Sequence, residues 1–436
     1  MQVDTLLSGR WVVPVTPGDP ILENHAIVMN DGKIIALLPE AEALARYQPR
    51  QHHQRSDHHL IIPGLINAHT HAAMSLFRGL ADDLPLMRWL NDHIWPAEGR
   101  WVGPEFVADG SRLAIAEMLR GGITCFNDMY FFPNHTAEVA AAAGMRAVVG
   151  LIVIDFPSAW GSGPQEYLQR GSELLEQLRA HPTLHAALAP HAPYSVADEA
   201  LRAVVALANR EQLPMHIHLH ETAEEIALSI ERYGVRPLER LELLGLSGPH
   251  RLAVHMTQLT DAEIAHYAAS GGHIVHCPES NLKLASGFCP VQKLLDAGIN
   301  VALGSDSAAS NNDLDLLGEM RTAALLAKGV AANAAALPAM MALRMATING
   351  AKALGLEQQI GSLEPGKAAD ITVIDMGVLA VQPIYQVVSQ LVYASSREQV
   401  SDLWVAGRQL LHQGKLLTLD SEEIMARAAV WRERIK

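Results

Sequence analysis

Cysteine is scarce. Cys125, Cys277 and Cys289 are the only three in 436 residues, with no Cys-x-x-Cys spacing among them. That argues against a disulfide framework and a thiolate zinc knot, and it suits a reducing cytoplasm. Basic charge is short as well: 33 Lys and Arg stand against 47 Asp and Glu, a net charge of -14, with no long basic run. A nucleic-acid backbone is therefore disfavoured as a partner, and the acidic balance reads as solubility. No apolar run approaches the ~18 residues of a spanning helix. The opening Met1-Gln-Val-Asp-Thr-Leu-Leu has no basic patch leading into an apolar stretch, so no signal peptide and no membrane partner are expected. Internal repeats and low-complexity linkers are also missing. What remains is a chain 49% hydrophobic and 18% charged, ample for a large buried core.

Between about residue 60 and 365, short β-rich runs alternate with helix-patterned segments. Strands are expected at Leu60–Ala68, Ile123–Tyr130, Arg146–Val153, Leu184–Ala189, Met215–Leu219, Leu252–His255, His273–Cys277 and Asn300–Gly304. Their near-continuous apolar cores suit strands buried on both faces. Alanine- and leucine-rich segments such as Glu105–Arg120 and Leu314–Lys328 lie between them. Eight strands with helical returns describe a (β/α)8 barrel. The rival, an open doubly wound sheet, is weakened because no glycine-rich nucleotide turn follows the first strand.

The chain ends differ. Residues 1–59 carry Asp31-Gly-Lys-Ile-Ile-Ala-Leu, and residues 366–436 carry Ala369-Asp-Ile-Thr-Val-Ile-Asp and Leu403-Trp-Val-Ala-Gly. Short strands with glycine turns predict a small composite β-sandwich domain built from both termini beside a 60–365 barrel domain. The tail from Ser421 to Lys436 reads as a closing helix. His52, His53, His58 and His59 read as an exposed loop before the first barrel strand.

Candidate ligands stand where apolar runs end. Leu60-Ile-Ile-Pro-Gly-Leu-Ile-Asn-Ala-His-Thr-His places His69 and His71 two residues apart, hence on one side of a strand. His218, His255 and Asp306 close or follow later strands, and the C-terminal strand ends are where a barrel assembles its active site. Imidazoles with a carboxylate suit zinc or another first-row divalent ion, which lowers the pKa of its water toward ~7. Glu221, three residues past His218, is placed to face a substrate and shuttle protons. His216, His218 and His220 share parity, so spacing alone does not choose among them.

These residues carry a resemblance. Pro63-Gly-Leu-Ile-Asn-Ala-His-Thr-His is similar to the first-strand motif of the amidohydrolase superfamily, and His218-Leu-His-Glu221, His255 and Ser305-Asp306 to its mononuclear deaminase branch. His191-Ala-Pro-Tyr, Ser280-Asn-Leu-Lys-Leu and Gly304-Ser-Asp-Ser-Ala-Ala-Ser-Asn-Asn resemble the 5-methylthioadenosine/S-adenosylhomocysteine deaminases. Guanine, hydroxypyrimidine and triazine hydrolases share much of the pattern, and a non-catalytic metal-binding homologue is the alternative outside enzymes.

The resemblance implies a zinc-dependent hydrolase of a cyclic amidine, with one Zn2+ per subunit held by His69, His71, His218 and Asp306. Glu221 becomes the proton shuttle, His255 the group orienting water and Asp306 the base that takes its proton. Glu98, in Trp95-Pro-Ala-Glu98, reads ribose, and His191 contacts the purine nucleoside near the reacting carbon. A cytoplasmic homo-oligomer is expected. One departure matters: from Val148 to Gln169 no arginine occurs, where some relatives meet the homocysteine carboxylate. An unpaired buried carboxylate is costly, which favours the neutral thioether nucleoside unless Arg170 reaches in. His216 is read as a barrel-interior residue, His220 as pointing into its loop, His276 as adjacent to the site or packing, and Cys277 and Cys289 as small buried hydrophobes.

Overall fold

The structure is a computed structural model that describes residues 1–436, the side chain of Ser56 excepted. The first four strands are β1 (Gln2–Val12), β2 (Leu22–Asn30), β3 (Lys33–Pro39) and β4 (Gln48–Pro63). The next eight are β5 (Leu65–Thr70), β6 (Ile123–Tyr130), β7 (Arg146–Val153), β8 (Leu184–Pro190), β9 (Met215–Leu219), β10 (Arg251–His255), β11 (His273–His276) and β12 (Asn300–Leu303). Four more follow: β13 (Ile371–Asp375), β14 (Val400–Val405), β15 (Arg408–His412) and β16 (Lys415–Leu416).

Strands β5 to β12 pair in sequence order in one parallel sheet with helical returns. The expected barrel is present and nearly closed. Its first and last strands meet only at an isolated parallel bridge between Thr70 and Asp306, where Asp306 N donates to His69 O at 3.1 Å. Closure therefore happens at the residues singled out from the sequence. Gly304 permits it: a Cβ there would lie 2.8 Å from His69 Cβ.

The terminal segments form a second sheet in the order β16-β15-β14-β13-β4-β1-β2-β3. Its centre is the antiparallel pairing of β4 with β13, which joins the two ends of the chain. It is one continuous mixed sheet, curled so that Gly32 at the β2–β3 turn touches Ala406 beyond β14. Leu7, Ile27, Ile61, Ile371 and Trp404 fill its inside. Burying such side chains contributes about 1.5–3 kcal/mol each. The closing helix spans Ser421–Ile435 and seats Trp431 against Phe106 at 5.2 Å between ring centroids.

Two expectations are corrected. The run Leu60–Ala68 is not one strand: Leu60 to Pro63 end β4 in the terminal sheet, and β5 begins at Leu65. The switch occurs at Gly64, where a Cβ would sit 2.0 Å from Thr124 Oγ1. An apolar run reports burial on both sides, not which sheet supplies it. Likewise His52, His53, His58 and His59 lie on β4 rather than in a loop. Backbone pairing with β1 and β13 overrides their polar character. No described helix is long and apolar enough to cross a membrane.

Candidate metal centre and active site

Alternation on β5 directs His69 and the following His71 to one side, and alternation on β9 does the same for His216 and His218. Asp306 comes three residues beyond β12 with φ of 60°, a left-handed conformation that aspartate tolerates better than most residues. Ligand atoms of His69, His71, His218 and Asp306 all lie within 4.8 Å of one another.

The outward nitrogen of each imidazole is engaged. His71 Nδ1 donates to Met129 O at 2.6 Å, and His218 Nδ1 to His191 O at 2.8 Å. His69 Nδ1 lies 2.8 Å from His216 Nε2. The Nε2 lone pairs of His71 and His218 are thereby turned inward, and His69 Nε2 faces the same centre. His218 Nε2 is 3.2 Å from both His69 Nε2 and His71 Nε2. Asp306 Oδ1 is 3.2 Å from His69 Nε2 and 3.3 Å from His71 Nε2.

Imidazole nitrogens and a carboxylate gathered at such spacing suit a cation among them. Separations this short put all four donor residues within reach of one divalent ion, and zinc sits about 2.0 Å from N and O donors. The donor set fits a divalent metal. On its far side, Asp306 Oδ2 accepts from Ser280 Oγ at 2.5 Å and Ser310 Oγ at 2.8 Å, which fixes the carboxylate plane.

Burial lowers His69 to about 4, against the pull of Asp306, and holds His218 well below the usual imidazole range. Both are thus neutral and ready to ligate at pH 7. Burial also lowers His71, but Asp306 and the Met129 carbonyl leave it raised. Burial by itself would raise Asp306, yet His69 and His71 hold it well below the carboxylate range.

A cavity of about 680 Å3 opens over this cluster, lined by His71, His191, His218, Glu221, His255 and Asp306 among others. His69 lies beneath it, fully buried. His255 Nδ1 donates to Asn281 Oδ1 at 2.8 Å, and its Nε2 is 3.8 Å from Glu221 Oε2. Burial raises the Glu221 carboxyl, partly opposed by His255. His191 Nδ1 meets Ser195 Oγ at 2.7 Å, and burial beside His71 and His69 lowers it to about 3.

Glu98, half-buried on the helix Trp95–Trp101, lines the same cavity. Desolvation of the carboxyl in the cavity wall pushes it up to about 7, opposed by the Tyr130 hydroxyl and His71. Beyond it, a second cavity of about 660 Å3 shares Trp95, Glu98, Phe131 and Phe156 with the first. Arg170 does not line either cavity: it binds Glu166 at 2.6 Å and stacks 4.9 Å over Trp160.

All eight residues singled out from the sequence thus converge. The structure also corrects one and adds others. His220 is fully buried rather than set into the loop, and its Nε2 accepts from Leu238 N at 3.0 Å. His276 is buried with neither ring nitrogen bonded among the described residues. Sequence reasoning gave no role to Ser280, Asn281 or Ser310. They stand inside the quoted Ser280-Asn-Leu-Lys-Leu and Gly304-Ser-Asp motifs, the one signal that pointed to them.

Comparison with known proteins agrees with this geometry. Residues 60–410 match the amidohydrolase family. The chain is 50% identical over 433 residues to the 5-methylthioadenosine/S-adenosylhomocysteine deaminase of Saccharophagus degradans, covering 99% of this chain and 97% of that protein. It is 42% identical over 368 residues to the 5'-deoxyadenosine deaminase of Methanothermobacter thermautotrophicus, covering 84% and 85% of the two chains. Among solved structures, an adenosine deaminase from Xanthomonas campestris with bound zinc superposes with a TM-score of 0.98 at 52% identity, covering 100% of this chain and 99% of that one. The chain belongs to the amidohydrolase family.

Proposed function

We propose that this amidohydrolase is a zinc-dependent deaminase that converts 5'-methylthioadenosine to its inosine analogue and ammonia. The observation that carries this reading is one cavity joining the His-His-His-Asp cluster, Glu221 and Glu98. His69, His71, His218 and Asp306 would hold one zinc per subunit, whose Lewis acidity makes water nucleophilic near neutral pH. The remaining chemistry belongs to side chains.

Asp306 takes the proton of the water that attacks C6, its carboxylate kept in plane by Ser280 and Ser310. Glu221, its pKa raised, holds a proton for the ring nitrogen N1. His255, braced by Asn281, orients the water from the Glu221 side. Collapse of the tetrahedral carbon breaks the C6–N bond and expels ammonia with the proton Asp306 received, while the hydroxyl proton left on that carbon returns to Glu221 as the carbonyl forms. Neutral His191 contacts the purine, and Glu98 accepts from the ribose hydroxyls through charge-assisted hydrogen bonds.

The preference for a neutral thioether rests on the second cavity. Among the described residues lining the two cavities there is no lysine or arginine, and Arg170 is already paired. A homocysteine carboxylate there would lose its hydration without a partner. The chain is taken as a cytoplasmic homo-oligomer with a small-molecule substrate.

The test is an ultraviolet assay of the zinc-loaded enzyme with methylthioadenosine, adenosine and S-adenosylhomocysteine side by side. Methylthioadenosine is expected to react with the highest kcat/KM. If all three stay inert while guanine or a triazine reacts, the assignment is wrong.

A further inference from the structure

Helix Ala223–Tyr233 begins with Thr222 as its N-cap, whose Oγ1 accepts from Glu225 N at 3.2 Å. In the usual capping box the carboxylate three residues on returns to the N-cap N–H. Glu225 reaches further back. Its Oε1 accepts from His220 N at 3.0 Å and its Oε2 from Glu221 N at 2.7 Å. Its two oxygens are spent on the turn that carries Glu221.

That turn needs holding. His220 has φ of 53°, left-handed for a residue with a branched ring at Cγ, and such conformations persist only where the surroundings over-determine them. Thr257 grips the opposite edge: its Oγ1 donates to Glu221 O at 2.7 Å and its N to His220 O at 2.9 Å. Glu225 itself is 4% exposed, and its carboxyl oxygens bond to backbone N–H groups rather than to a basic side chain. Burial pushes its carboxyl up to about 8, against the pull of those backbone N–H groups, so its polar atoms are satisfied by one turn and by no counter-charge. It is not an element of an ion-pair network.

We propose that Glu225 is a positioning residue, fixing the backbone of His220 and Glu221 so that the Glu221 carboxyl stays aimed into the cavity beside His255. The inference rests on Glu221 acting as the proton shuttle. Glutamine at this position keeps the shape but sets an amide NH2 against one of the two N–H groups, so that the turn loses one acceptor. The effect belongs to the proton-transfer step, not to nucleoside binding or to the metal.

The experiment is a double-mutant cycle on the zinc-loaded enzyme with Glu221→Gln, Glu225→Gln and the double variant, reading kcat, KM and zinc content. Glu225→Gln is expected to lower kcat tenfold or more, with KM within about threefold and zinc unchanged. In the Glu221→Gln background the same change is expected to cost less than about threefold further, because the group it positions is already gone. An equal loss in both backgrounds, a loss that tracks zinc content, or full kcat in Glu225→Gln overturns the proposal. Should Glu225→Gln not accumulate as folded protein, Thr257→Val loosens the same turn from the other edge. The same non-additive loss supports the proposal, and wild-type kcat overturns it. Wild-type activity in Glu221→Gln instead removes the shuttle and this inference together, whereas a disabled Glu221→Gln beside a fully active Glu225→Gln removes this inference alone.

Discussion

His216 Nε2 lies 2.8 Å from His69 Nδ1, with both rings fully buried. Burial holds His216 well below the usual imidazole range, so it stays neutral. A metal on His69 Nε2 requires the ring proton on Nδ1, and His216 Nε2 is the group that receives it. With a metal on His69 Nε2, His216 would be the outer acceptor that holds the His69 ring.

Removing that acceptor weakens the site without touching a ligand. His216→Ala is expected to lower zinc affinity by about 10–100-fold, the usual cost of losing an outer partner. Competition against a chromogenic chelator measures it, and unchanged affinity would mean that His216 only packs.

Glu98 titrates in the working range. With its carboxyl pushed up to about 7, it is charged above that pH and neutral below it. Since the charged form is the better acceptor for ribose hydroxyls, kcat/KM for methylthioadenosine should fall roughly tenfold per pH unit on the acid side of 7. Glu98→Gln should be slow and lack that limb. A variant that keeps both the rate and the limb would take ribose recognition away from Glu98.

The metal should also stabilise the fold, because its four candidate ligands come from β5, β9 and the barrel closure. Zinc at about 100 times its Kd contributes about 2.7 kcal/mol. Adding zinc to chelator-stripped protein should raise Tm in the wild type and leave His71→Ala unchanged. Equal shifts in both would place the stabilising metal elsewhere.

Arg146, at the start of β7, pairs with Asp370 just before β13 through bonds of 2.9 and 3.1 Å, both side chains 2% exposed. It ties the barrel to the terminal sheet. Arg146→Ala leaves a buried carboxylate unpaired and should cost about 3–5 kcal/mol, read from the urea midpoint. A loss under about 1 kcal/mol would mean that water replaces the guanidinium.

Local periodicity made much of this legible. Apolar runs alternating with helical segments gave the barrel strands nearly to the residue, since a strand buried on both faces leaves no polar alternation. Parity placed His69 and His71 on one side, and the ends of apolar runs marked where ligands collect. The run into His69 misled at Gly64, because burial by a neighbouring sheet and burial by a barrel leave the same signature.

The sequence by itself determined the donor types and the strands that carry them, because those depend on neighbours within a few positions. Tertiary structure alone decided which donors meet. Closure between Thr70 and Asp306 brings residues over 230 positions apart to hydrogen-bonding distance. The same closure sets His216 behind His69, separates His218 from two histidines of equal parity, and leaves Arg170 outside both cavities. No local pattern encodes those choices, since each is settled by how eight strands curl into one ring.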